Sequence, residues 1–177
     1  MSTKSSFRLA LDPPSESLAV VSRRAVREAA AYARESPRRR VVAPYHRSER
    51  DTLHRMLNAV QPDSYVRPHC HRDPPKAEAW IVLQGSVLFF TFEDTGRVTQ
   101  YLRLEAGGEQ FGVDLAAGVY HSFIALEPDT VIYEVKDGPY ERASDKAFPA
   151  WAPEEGTSEA SAFMDTLLRT YAGSPRI

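Results

Sequence analysis

Between Ser64 and Lys136 the chain is built of short runs rich in Val, Ile, Phe, Tyr and Leu, each cut off by turn residues. No other feature narrows the fold as much, because strands of this length and spacing suit an antiparallel sandwich or barrel. The runs predict strands at Ser64–His71, Glu78–Leu83, Val87–Phe92, Val98–Leu104, Gln110–Leu115, Tyr120–Leu126 and Thr130–Lys136. The breaks between them include Gln84-Gly85-Ser86, Asp94-Thr95-Gly96, Gly107-Gly108, Ala117-Gly118 and Glu127-Pro128-Asp129.

Helical periodicity flanks this region. Residues 1–15 are polar with Pro13-Pro14 and read as an irregular arm. From Glu16 to Glu35, Leu18, Val21, Ala25, Ala29 and Tyr32 recur at about one helical turn, and Ser36-Pro37 stops the run. A second helix is predicted from Glu49 to Val60, with Ser48 as N-cap and Leu53, Met56, Leu57 and Val60 at i, i+3, i+4 and i+7. After Gly138-Pro139 the chain is proline-rich and irregular through Trp151, and a last helix is predicted from Ser158 to Tyr171. The division expected is an N-terminal arm and helix over residues 1–40, a barrel over 41–153 and a C-terminal helix over 154–177.

Composition bounds the function. At 177 residues, with 42% hydrophobic and 26% charged residues, the chain suits one soluble domain with a sizeable core. A net charge of −2 argues against a general nucleic-acid or anionic-membrane binder. The basic knot Arg38-Arg39-Arg40 reads as a solvated, charged turn. Cys70 is the sole cysteine, so no intramolecular disulfide forms; Met1–Arg8 lacks the apolar run of a secretory signal, and no spanning segment is present. The expected location is cytoplasmic.

The chemistry concentrates in Arg67-Pro68-His69-Cys70-His71, followed by Glu78 and Gly85. In a strand His69 and His71 share a face, their Cα atoms roughly 6.6–6.8 Å apart, and Cys70 points away. Two such imidazoles can converge on one ion. Glu78 opens the next strand and His121 begins a later one, each after a turn, so one arrangement accounts for three of the five histidines. Three imidazoles and a carboxylate form a borderline ligand set for one divalent transition metal, with Fe, Mn, Ni or Zn all admissible. His46 and His54, in the predicted helical preamble, read as surface residues.

This pattern resembles the cupin superfamily. His69-Cys70-His71, Glu78 and Gly85 match its first motif, and Ala116-Ala117-Gly118 with His121, preceded by Gly112, matches its second. The resemblance implies a mainly β fold, a cupin double-stranded β-helix (jelly-roll) barrel with N- and C-terminal helices, and His69, His71, Glu78 and His121 as metal ligands. The spacer from Arg72 to Ala77 is longer than usual, Ala116 replaces the turn proline, and Ala125 stands where an asparagine is frequent. More narrowly, Ser36-Pro37-Arg38-Arg39-Arg40, Tyr65-Val66-Arg67-Pro68-His69, Glu134-Val135-Lys136-Asp137-Gly138-Pro139-Tyr140 and Trp151-Ala152-Pro153 look like the WbuC family of cupin-fold metalloproteins. That likeness implies a bacterial protein tied to polysaccharide gene clusters and names no reaction.

Alternation along the strands sets the pocket expected around the metal. Tyr65 and Arg67 fall on the face of His69, so Arg67 is expected either to pair with Glu134 or to receive a substrate carboxylate or phosphate. Trp80 shares a face with Glu78, and Phe123 one with His121. Glu134 and Lys136 interrupt an apolar run, either as a salt-bridged edge strand or with Lys136 or Tyr140 at the pocket rim. The functions compatible with these residues are a metal enzyme acting on a sugar or small carboxylate, a non-catalytic small-ligand module, and a metal-free sugar isomerase or epimerase. The amphipathic first helix and sheet edges in need of cover point to a homodimer.

Overall fold

The computed structural model describes residues 9–171 and 173. Eight strands form two antiparallel sheets: β1 (Arg40–Pro44), β2 (Leu53–Val60), β3 (Glu78–Gln84), β4 (Ser86–Phe92), β5 (Val98–Glu105), β6 (Gly112–Leu115), β7 (Tyr120–Ala125) and β8 (Thr130–Asp137). The order is β1-β2-β8-β3-β6 in the larger sheet and β5-β4-β7 in the smaller. Helix α1 (Arg23–Glu35) precedes them and α2 (Ser158–Tyr171) follows. Among the described residues no helix is long and apolar enough to cross a membrane.

Three apolar clusters explain the layers. The inner faces of both sheets contribute Val60, Trp80, Val82, Val87, Phe89, Phe123 and Ile132 to the barrel interior. On the outer face of the larger sheet, Val26, Ala29, Ala30 and Ala33 of α1 pack against Val41, Leu57, Ala59 and Val131. On the outer face of the smaller sheet, Leu88, Phe90 and Ile124 receive Phe163, Met164 and Leu167 of α2. Each helix therefore buries the back of one sheet, a standard solution for a sheet apolar on both faces.

The helix expected from Glu49 to Val60 is instead the strand β2. Its register against β8 pairs His54 with Lys136, Met56 with Glu134 and Asn58 with Ile132, which turns the even-numbered residues inward. Leu57 and Ala59 face α1. A strand buried on both faces carries apolar residues at consecutive positions, and such a run imitates a helical stripe. His54 is consequently buried inside the barrel and stacks on the half-buried His46 with ring centroids 3.9 Å apart, so neither is the surface residue expected.

Helix α1 begins at Arg23, later than expected, because Ser22 caps it by accepting from the Ala25 amide at 3.2 Å. Its buried stripe is Val26, Ala29, Ala30 and Ala33; Tyr32, expected inside, is exposed. This apolar face is occupied within the chain and offers no argument for a homodimer. The run from Ser64 to His71 is extended but makes only isolated bridges, His69 with His121 and Cys70 with Ala147. At the β3–β4 turn Gly85 has φ +75°, and a Cβ there would lie 2.3 Å from Thr130 Oγ1, so both backbone and space require glycine.

Candidate metal centre

The site forms where the extended segment 64–71 crosses between the sheets. His69 and His121 exchange both backbone hydrogen bonds, at 3.1 and 2.9 Å. Residues paired in this way project their side chains to the same face, and the two rings lie 4.5 Å apart by centroid. His71, two residues on, shares that face. Glu78 enters from the larger sheet as the first residue of β3. The structure thus brings together all the residues expected as ligands. The ring nitrogens of His69, His71 and His121 include one from each that all lie within 4.8 Å of one another. Glu78 Oε1 is 2.7 Å from His121 Nε2, and Oε2 is 3.7 Å from His71 Nε2.

The hydrogen bonds fix which nitrogens face the centre. His69 Nδ1 donates to the Arg67 carbonyl at 2.8 Å, His121 Nδ1 to the Val119 carbonyl at 2.9 Å, and His71 Nδ1 to the Asp145 carbonyl. A carbonyl can only accept, so each neutral ring is assigned as the Nδ1–H tautomer with a lone pair on Nε2. Burial, followed by the charge of Lys146, holds the His69 imidazole well below its ordinary pKa; burial, followed by Lys136, brings His71 to about 4. Burial works against ionisation of Glu78, but a proton shared with His121, then the positive charge that His121 and His71 carry when protonated and that of Lys136, outweigh it and bring its pKa down to about 2.

A carboxylate oxygen therefore faces an imidazole lone pair at 2.7 Å. A protonated His121 would make this an ordinary ion pair, but the contact lacks hydrogen-bond geometry, and Glu78 Oε1 and His121 Nε2 are both buried without a partner. Two lone pairs this close in a dry site repel unless a proton or a metal cation is held between them. The backbone carbonyls orient the rings as supporting groups do around ligating histidines. The donor set fits a divalent transition ion.

The centre opens into a cavity of about 320 Å³. Its walls include Arg67, Trp80, Phe123, Glu134, Lys136 and Lys146. Trp80 stands edge-on to Phe123 and to His121, with centroids 4.9 and 5.6 Å away. Glu134 and Lys136 lie on β8, in the middle of the larger sheet, and not on an edge strand. Glu134 accepts from Asn58 at 2.5 Å, while burial and then the charge of Glu78 push its carboxyl above the usual range. Lys136 donates to Asp145 at 2.9 Å; burial works against its charge, but Glu134 and Asp145 outweigh it and raise its pKa.

Two expectations about the pocket are corrected. Arg67 lines it but does not pair with Glu134: its Nε donates to the Ala152 carbonyl at 3.2 Å, and its guanidinium lies 4.7 Å above the Phe148 ring. Tyr65 does not line it, since its hydroxyl donates to the Pro153 carbonyl and its ring meets Phe163 of α2. The irregular backbone of 64–68 breaks the alternation that put both on one face. Tyr140 is also absent from the walls. The basic knot is only partly solvated: Arg38 and Arg40 line the cavity mouth and share Glu155 at 2.7 and 2.8 Å.

Sequence reasoning missed Asn58, Asp145 and Lys146. Asn58 was hidden by the helical reading of β2. Asp145 and Lys146 fall in the stretch read as irregular, where neither periodicity nor spacing signals a role. Lys146 is exposed as a residue; burial of its ammonium group, followed by the charge of Lys136, lowers its pKa to about 8, which leaves it charged at neutral pH.

Residues 21–104 match a family model described as a domain of unknown function, DUF6016. The match covers His69, His71 and Glu78 and ends before His121. No curated protein matches the sequence. Among solved structures, CapF with the inhibitor 3-isopropenyl-tropolone aligns with a TM-score of 0.51 at 16% identity, over 64% of this chain and 32% of CapF. The fold is a cupin barrel. L-ribose isomerase of Cellulomonas parahominis with L-psicose aligns with a TM-score of 0.48 at 18% identity, over 64% of this chain and 70% of that chain. KdgF from Halomonas sp. gives 0.42 at 17% identity, over 53% and 76%. At 16% identity the likeness to CapF carries the barrel and not a reaction.

Proposed function

We propose that this cupin binds one divalent transition ion through His69, His71, His121 and Glu78 and presents it to a small molecule, a sugar or small carboxylate, in the adjoining cavity. The observation that carries this reading is the 2.7 Å approach of Glu78 Oε1 to His121 Nε2 without hydrogen-bond geometry, beside two further imidazoles turned the same way. When bound, the ion supplies Lewis acidity toward a carbonyl or hydroxyl oxygen.

The remaining residues do the positioning. Trp80 and Phe123 form an apolar wall, and the Glu134 carboxyl, held toward its neutral form, can give or take a proton at a substrate atom within reach. The pathway part of the proposal, bacterial surface-polysaccharide or sugar metabolism, rests on the WbuC-like segments around Arg38, His69, Glu134 and Trp151.

Metal analysis of the purified protein tests the centre. The expected result is about one transition ion per chain, lost in His121→Ala and His69→Ala while the circular dichroism spectrum stays that of the parent. A chain free of metal after growth and purification without chelator, and unable to take up Fe(II), Mn(II), Ni(II) or Zn(II), overturns it. Turnover of a sugar-nucleotide and keto-acid panel by the loaded protein decides between an enzyme and a binding module.

A further inference from the structure

The charges lining the cavity do not balance within the protein. The lining carries Arg38, Arg40, Arg67, Lys136 and Lys146 against Glu78, Glu134 and Glu155. Glu155 is taken by Arg38 and Arg40, Lys136 by Asp145, Glu78 by the imidazoles and Glu134 by Asn58, which leaves Arg67 and Lys146. Among the described residues Lys146 makes no hydrogen bond and no ion pair, although it lines the cavity. Arg67 spends only its Nε, on a backbone carbonyl; the carboxylate nearest its Nη1 is that of Glu154, 4.0 Å away on an exposed side chain. Phe148 ties this end of the cavity to the metal centre, since it lies beneath the Arg67 guanidinium and its ring is 6.1 Å from His69.

Two cations facing one small cavity, neither held by a buried carboxylate at ion-pair distance, repel each other and lose hydration, a cost that an anion between them offsets with charge-assisted hydrogen bonds. Volume limits what that anion can be. About 320 Å³ equals roughly ten water volumes at ~30 Å³ each, which is room for a single sugar ring and too little for a chain of them.

We propose that the cavity takes a monosaccharide-sized anion, a sugar carboxylate or sugar phosphate, with the charged group held by Lys146 and Arg67 and the rest of the ring directed toward the imidazoles. The direction of the ring rests on the function proposed above; the anion clamp does not, because neither Lys146 nor Arg67 is among the proposed ligands. Lys146 is then the residue that sets specificity for charge.

Calorimetric titration of the purified protein, before and after incubation with metal, tests the clamp, with D-glucuronate and D-glucose 6-phosphate as anionic probes and D-glucose as the neutral one. At least one anion is expected to bind tenfold or more tightly than glucose, and the preferred anion tells carboxylate from phosphate. Lys146→Met and Arg67→Gln should each remove that preference, and Lys146→Arg should keep it, with metal content and Tm at parent values. Equal binding of all probes, no binding of either anion at millimolar concentration, or an undiminished preference in Lys146→Met overturns the inference. Loaded protein lacking the preference sinks the clamp alone; protein that prefers anions but never holds metal sinks the proposed function alone.

Discussion

Asp145 joins three parts of the site at once. Its carbonyl accepts from His71 Nδ1, one carboxylate oxygen takes Lys76 at 2.8 Å and the other takes Lys136 at 2.9 Å, all in the interior. Removing it strands two buried ammonium groups, so Asp145→Ala should lower stability by about 3–5 kcal/mol in urea unfolding, the usual cost of breaking a buried pair from one side. The same residue fixes an acid limb. Burial pushes its carboxyl up, but the charge of Lys136 and the hydrogen bonds from both lysines outweigh it and bring the pKa from 3.8 to about 2. A depressed carboxylate stabilises the fold fully above its unfolded pKa and loses that contribution as pH falls toward its folded one. About 2 kcal/mol should therefore disappear between roughly pH 4 and pH 2, and the loss should be absent in Asp145→Asn. None of this was legible in the sequence: the ligands announce themselves by spacing on strands, whereas Asp145 sits in a loop whose course depends on the cross-bridge between Cys70 and Ala147.

At the level of elements, the strands with one clear turn at each end were readable almost to the residue, and so was α2. Strand β2 was not, because burial on both faces erased its alternation. The two readings of that segment differ in a measurable way. On a helix Leu53 and Leu57 belong to one stripe and matter alike. On β2 Leu57 is 1% exposed beneath α1 and Leu53 is 45% exposed. Leu57→Ala should cost about 2–5 kcal/mol and Leu53→Ala within about 0.5 kcal/mol, read from urea midpoints at constant m-value. The segment from Ser64 to His71 taught the opposite lesson. It was expected as a full strand, but its ladder is limited to single bridges, so alternation holds from His69 to His71 and fails at Tyr65. The convergence of His69, His71, Glu78 and His121 was therefore foreseen from spacing, while the polar wall was foreseen only in part.

For the whole molecule, the barrel interior is divided lengthwise. One end is filled by Val82, Val87, Leu104 and Ala125; the other holds the histidines, Glu78, Glu134 and Lys136. The apolar end and the two helix-covered outer faces lie away from the proposed ion, so the fold should survive without it. Chelation should leave the far-ultraviolet spectrum unchanged and lower the melting temperature. An ion present at a hundred times its Kd contributes about 2.7 kcal/mol, roughly 5–10 °C for a chain of this size. An unchanged melting point after verified metal removal would contradict this.

The reciprocal main-chain bonds between His69 and His121 have a consequence for ion choice. Peptide geometry sets the separation of their Cα atoms, and the Nδ1 bonds to the Arg67 and Val119 carbonyls hold the two rings, so a cage built on the proposed ligands would change little on that side from guest to guest. Ions are then ranked by how well each accepts the spacing offered.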